Sequence, residues 1–225
     1  MLNNFRCFLC LSAVVVVLTG CVSQKPYDYS AFKASHPASI LVLPPKNNSP
    51  DVTATYAMLA QMTYPLAEAG YYVVPVALMD AAFKENGFSN AAEAQNVSPA
   101  KLREIFGADA ALYTDITEYG VSYKLIASET AVTARSRLVD LRTGAVLWTG
   151  SARASSAENQ NNNTGGGLAG LLVKALVEQV VNNIANNSYM YAGVASQRLL
   201  TAGANGQLLY GPRSPQYGQE KPINH

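Results

Sequence analysis

Histidine is scarce in this 225-residue chain, with only His36 and His225, and neither lies in a stretch of regular hydrophobic pattern. A Ser–His–Asp or Cys–His catalytic site therefore has no base, and a zinc site lacks its commonest nitrogen ligand. Cysteine is equally sparse: Cys7, Cys10 and Cys21 all fall within the first 21 residues. The rest of the chain can form no disulfide and must be held by an apolar core. Neither sign of charge dominates, with 16 Lys plus Arg against 15 Asp plus Glu. That balance excludes electrostatic recruitment of nucleic acid and an acidic solvating tail. No apolar run reaches the roughly 20 residues that span a bilayer. The run in 168–186 is interrupted by Lys174, Glu178 and several Asn. A GxGxxG fingerprint is also missing, and the GGG at 165–167 has no Lys-Ser/Thr after it, so it reads as a hinge rather than a phosphate cradle.

The amino terminus carries a definite signal. MLNNFR supplies one positive charge at Arg6, and Cys7 to Val17 form an apolar core of signal-peptide length. The following Leu18-Thr19-Gly20-Cys21 resembles the bacterial lipobox. This resemblance implies cleavage between Gly20 and Cys21 and lipid attachment at Cys21, with no other cofactor. Each buried lipid methylene contributes about 0.8 kcal/mol, so two or three acyl chains anchor permanently. Val22, where Asp would favour inner-membrane retention, points to the periplasmic face of the outer membrane.

Removing 1–20 leaves 205 residues with 15 basic and 15 acidic side chains, enough for one domain with tethers. The expected organisation is a lipidated cysteine and tether over 21–37, a single α/β domain over 38–204, and a flexible tail over 205–225. SILVLP (39–44) reads as a buried strand. Asp51 or Thr53 caps a helix whose Tyr56, Leu59, Met62 and Leu66 share a face, with Pro65 expected to kink or split it. YYVVPV (71–76) is a second strand, and ALMDAAFKENG a short helix stopped at Gly87. Ser98 caps another helix, with Pro99 at its first position and Gly107 after it. From Asp109 the period becomes two, giving ALYTDITEY, VSYKLIASE, AVTARSRLVDL and AVLWTGSAR as four expected strands, the last two linked at RTG (142–144). Helices are expected over 168–186 and 189–203, separated from the strands by the Asn/Gly-rich AENQNNNTGGG.

Few residues are candidates for chemistry. Asp115 and Glu118 stand three apart on a strand, which puts them on opposite faces unless a bulge intervenes. Arg135 and Arg137 share a face, and pairing with nearby acids outweighs anion binding as an expectation. Trp148 reads as a packing or a binding aromatic. No catalytic, metal or cofactor residues are assigned.

Two stretches carry a family resemblance. LVDLRTGAVLWTGSA is similar to the hairpin of CsgG-like secretion lipoproteins and TolB amino-terminal-type domains. YPLAEAGYYVVPVALMDAAFKENGF with DITEYG resembles a small family of outer-membrane lipoproteins represented by a genome-derived neisserial antigen. The resemblance covers about residues 38–200. It implies a mixed sheet with a C-terminal antiparallel hairpin set and helices packed on it. It also implies an envelope accessory role, self-association (a dimer first) and a CsgG-like lipoprotein partner. A regulator of a cell-wall synthase and a small-molecule or glycan-binding module remain as alternatives. No long alternating hairpin suited to a membrane pore is expected.

Overall fold

The computed structural model describes residues 26–123, 128–160, 187–203 and 205–219. A six-residue helix, α1 (Ser30–Ser35), leads into β1 (Ser39–Val42) and β2 (Lys46–Asn47). Helix α2 (Ala54–Glu68), strand β3 (Tyr72–Val73) and helices α3 (Val76–Glu85), α4 (Ala91–Asn96) and α5 (Pro99–Phe106) follow. Three long strands, β4 (Ala110–Tyr123), β5 (Ser128–Asp140) and β6 (Val146–Ser155), precede a 3-10 turn at Ser156–Gln160 and helix α6 (Asn187–Leu200).

These strands form one mixed sheet in the order β3-β1-β4-β5-β6, with β2 continuing beside β4. β1 is parallel to both neighbours, while β4–β5 and β5–β6 are antiparallel. Ile40, Leu41 and Val42 are all fully buried, the signature of a parallel strand covered on both faces. β4–β6 instead alternate: Leu138 and Trp148, cross-strand partners, face the core, while Arg135, Arg137, Thr149 and Ser151 face outward. Helix α6 lies on the inner face of this set and packs against α2. Gly193 there lets the Gln61 side chain come within 3.2 Å of where a Cβ would stand, and the Ser196 hydroxyl contacts the Met58 sulfur. The Thr114 and Ser136 hydroxyls pair at 2.7 Å inside the core, so neither is left unsatisfied.

The local signals mostly act as the sequence suggests. The Ser98 side chain accepts the Lys101 amide, and Gly107 ends α5 in the left-handed region at φ 64°. Pro65 does not split α2; it sits in the last turn, where few intrahelical bonds remain to lose. Tyr56 is exposed rather than part of the buried stripe, and its hydroxyl donates to Asp80 while Met58 fills the core. Helix α4, unread in the sequence, is closed by the Asn90 side chain accepting the Glu93 amide and by Glu93 accepting from Ser89.

Three expectations about organisation are corrected. The four alternating segments make three strands, because β4 runs on through Gly120, at φ 107°, and VSYKLIASE straddles the end of β4 and the start of β5. Residues 27–37, expected as tether, pack on the domain: Phe32 is buried, and Tyr29 packs edge-on against it. Residues 205–219, expected as tail, are also docked. Leu208 and Leu209 are buried, the Gly211 amide donates to Ala69, and the Arg213 amide donates to Gly70. Each terminal segment supplies a few apolar side chains that no period can flag. The expected helix over 168–186 lies outside the described residues.

Candidate functional site

Cys21 and Gly20, the expected lipidation and cleavage positions, lie outside the described residues, as do Gly165–167, Lys174, Glu178 and His225. The described residues begin five positions after Cys21, and the first docked side chains define where the chain joins the domain. The Tyr27 hydroxyl accepts the Thr149 amide at 2.9 Å, on β6 at the edge of the sheet. Two residues on, the Tyr29 hydroxyl donates to the Gln207 carbonyl at 2.6 Å and accepts the Gly206 amide at 2.8 Å. The Gly206 carbonyl in turn accepts the Trp148 indole N–H at 2.8 Å. N-terminal segment, sheet edge and C-terminal segment therefore converge on one set of hydrogen bonds. Further along, His36 Nδ1 lies 3.0 Å from the Tyr217 hydroxyl, and Ser35 donates to the buried Asp140. His36 thus joins two terminal segments. Trp148 is a core residue, 1% exposed, not a surface binding aromatic.

The same contacts close the sheet edge. Thr149 N–H is taken by Tyr27, the Arg153 carbonyl by Arg198 at 2.6 Å, and the Ser155 amide by Glu158 at 3.0 Å. Edge strands with free backbone groups template unwanted strand pairing, and capping those groups suppresses it.

On the outward face of β4–β6 the cross-strand register builds three rungs. Tyr113, Arg137 and Thr149 form one, Asp115, Arg135 and Ser151 the next, and Glu118, Thr133 and Arg153 the third. A bulge between Ile116 and Glu118 adds one residue to β4. It turns Glu118 to the face that Asp115 occupies, so the alternation reading is corrected. The two carboxylates still do not act as a pair. Glu118 is held by Arg153 at 3.1 Å and by the Thr133 hydroxyl at 2.8 Å, whereas Asp115 lines a separate depression. Arg153 also binds the buried Glu129 at 2.7 Å, and these carboxylates keep its guanidinium more firmly protonated than usual.

The first two rungs are unlike the third. Arg137 stacks 4.8 Å over the Tyr113 ring, and neither Arg137 nor Arg135 forms an ion pair among the described residues. This overturns the expectation that nearby acids pair with them. Asp115 lies directly opposite Arg135 in register but forms no ion pair with it. These residues, with Ser136, Thr149, Gly150 and Ser151, line an open depression of about 480 Å³. Burial pushes the Tyr113 phenol upward, against the opposing pull of Arg137, so Tyr113 stays neutral beneath the guanidinium. Among the described residues no group of His, Cys, Asp and Glu could hold a metal ion, and no helix is long and apolar enough to cross a membrane.

A mixed sheet with helices packed on it, residues 27–37 and 205–219 docked against it and a signal-type amino-terminal sequence point to an envelope lipoprotein domain. The chain belongs to the GNA1162-like lipoprotein family, whose profile matches residues 27–213. That range begins at the first docked tyrosine and takes in the docked C-terminal segment. The chain is 47% identical over 203 residues to the lipoprotein NMB1124/NMB1162 of Neisseria meningitidis serogroup B (strain ATCC BAA-335 / MC58), covering 89% of this chain and 93% of that protein. The crystal structure of lipoprotein GNA1162 from Neisseria meningitidis is 52% identical and superposes with a TM-score of 0.51, covering 65% of this chain and all of the other. Membership makes the protein a membrane-anchored envelope lipoprotein.

Proposed function

We propose that the protein is a non-catalytic scaffold or accessory factor of an outer-membrane or periplasmic assembly, held through lipid on Cys21 at the periplasmic face of the outer membrane. The observation that carries this reading is the docking of residues 27–37. With Tyr27 fixed to Thr149, only residues 22–26 separate Cys21 from the folded domain. Six residue steps extend at most about 20–22 Å. The domain is thereby pressed close to its membrane, where it can meet other envelope lipoproteins. The assembly contains further copies of this chain, a dimer first, and a CsgG-like lipoprotein partner. The short reach weakens the alternative of a cell-wall synthase regulator, which needs a long free linker to cross the wall. The open outer face of β4–β6 suits a docking or binding role better than catalysis, since two guanidinium groups and hydroxyl donors dominate its lining.

Crosslinking in intact cells followed by recovery from detergent-solubilised envelope tests the assembly. Enrichment of a CsgG-like lipoprotein supports the scaffold reading, and enrichment of a transpeptidase replaces it with the synthase alternative. Metabolic labelling with palmitate tests the anchor: the native chain takes up label and the Cys21→Ser variant does not.

A further inference from the structure

We infer that the depression lined by Arg135 and Arg137 binds the phosphodiester headgroup of an anionic lipid in the membrane that anchors the chain. The inference rests on the membrane-apposed reading above and goes beyond it by naming a ligand and the residues that take it.

Three observations meet here. First, Arg135 and Arg137 stand two residues apart on one strand face, about 7 Å between successive outward positions. Neither is neutralised by an ion pair among the described residues, although Arg153, two strand positions away across β6, is held by two carboxylates. Among the described residues the face therefore separates one ion-paired cation from two without a carboxylate partner. Guanidinium groups fork onto phosphate oxygens with two donors each, and stacking on Tyr113 fixes the plane of Arg137. Second, the hydroxyls of Thr149 and Ser151 flank the two arginines as further donors, opposite Arg137 and Arg135 in register. Third, Thr149 is itself the residue that Tyr27 holds. The strand that Tyr27 holds thus forms one wall of the depression, and Tyr27 itself lies at most about 20–22 Å from Cys21 along the chain.

The third observation chooses the source of the phosphate. A soluble phosphate could use the same donors, but the anchor holds this wall at the membrane surface, where lipid headgroups are the concentrated phosphate. The charges facing the site are the two arginines and Asp115, while Glu118 and Glu129 are occupied by Arg153. Asp115 opposes the ligand, which keeps attachment weak enough for the domain to move along the membrane.

The test uses the full mature chain carrying Cys21→Ser, so that acylation contributes nothing, with the single Trp148 reporting folding by its fluorescence. Partitioning is measured by co-sedimentation onto vesicles of phosphatidylcholine alone and of phosphatidylcholine with phosphatidylglycerol. Binding is expected only to the second. Arg135→Gln with Arg137→Gln is expected to weaken it roughly 30-fold. Lys84→Gln with Lys101→Gln, which removes the same charge from distant helices, should change it less than threefold, and Asp115→Asn should strengthen it. No vesicle binding by the parent chain, or equal loss in both double variants, overturns the inference. So does saturation by inorganic phosphate without vesicle binding, which would identify a soluble ligand. None of these results bears on palmitate uptake at Cys21, so failure of this site and failure of the anchor are told apart.

Discussion

The indole N–H of Trp148 donates a 2.8 Å hydrogen bond to the carbonyl of Gly206, tying the core of the sheet to a segment 58 residues further along the chain. The same Gly206 presents its amide to the Tyr29 hydroxyl. One residue without a side chain thereby joins the central hydrophobic layer, the C-terminal segment and the segment that leads to the anchor. Trp148→Phe retains an aromatic filler but leaves the Gly206 carbonyl without its donor. It should cost about 0.5–1.5 kcal/mol, the net worth of one hydrogen bond to a half-buried carbonyl, measured by urea unfolding.

Gly150 lies beneath the Trp148 ring, and a Cβ there would stand 2.2 Å from Cζ2. Gly150→Ala must displace the indole. Overpacking of this kind costs about 1–3 kcal/mol. Trp148 is the only tryptophan, so a red shift of the intrinsic fluorescence reports its movement directly. An unshifted spectrum with native stability would refute the packing described for this site.

Tyr29→Phe removes one hydroxyl that serves both the Gln207 carbonyl and the Gly206 amide. A loss of about 1–2 kcal/mol is expected. The loss should appear first as local opening: protease sites between 26 and 37 and those in 205–219 should become cleavable together. Independent cleavage of the two segments would mean that they are not clasped to each other.

Asp140 is buried, which disfavours its ionised form, but donors from Ser35, Thr143 and Arg142 outweigh burial and set its pKa below the ordinary 3.8. The folded state therefore gains from ionised Asp140 at any pH above the unfolded value of about 3.9 and loses that gain as pH falls through the lower folded value. Asp140→Asn should be less stable than the native chain by a constant margin between about pH 5 and 8. The margin should narrow below about pH 4. Thermal unfolding across that range checks it, and a margin that widens in acid would reverse the sign.

Period and punctuation carried much of the fold. SILVLP was legible as β1 because four consecutive buried residues need no partner to be recognised as apolar. Ser98-Pro99 and Gly107 marked α5 because caps are local chemistry, set by the backbone groups a helix leaves unpaired at its ends. The alternation of β5 and β6 also placed Arg135 and Arg137 on a common face, which the structure keeps.

The sequence by itself pointed to the class of the protein: an apolar, lipobox-like start before a cysteine-free remainder, with no histidine in its patterned core. Those are properties of residue identity and spacing, which folding does not alter. Only the tertiary structure decided the rest. The bulge after Ile116 turned Glu118 to the side of Asp115 and Arg153, because one inserted residue reverses every later alternation. Tyr27 and Tyr29 became clasps through contacts to residues more than 120 positions away. Arg135 and Arg137 form no ion pair among the described residues for the same reason: whether a carboxylate reaches a guanidinium depends on how strands are registered, not on how near the residues stand in the chain.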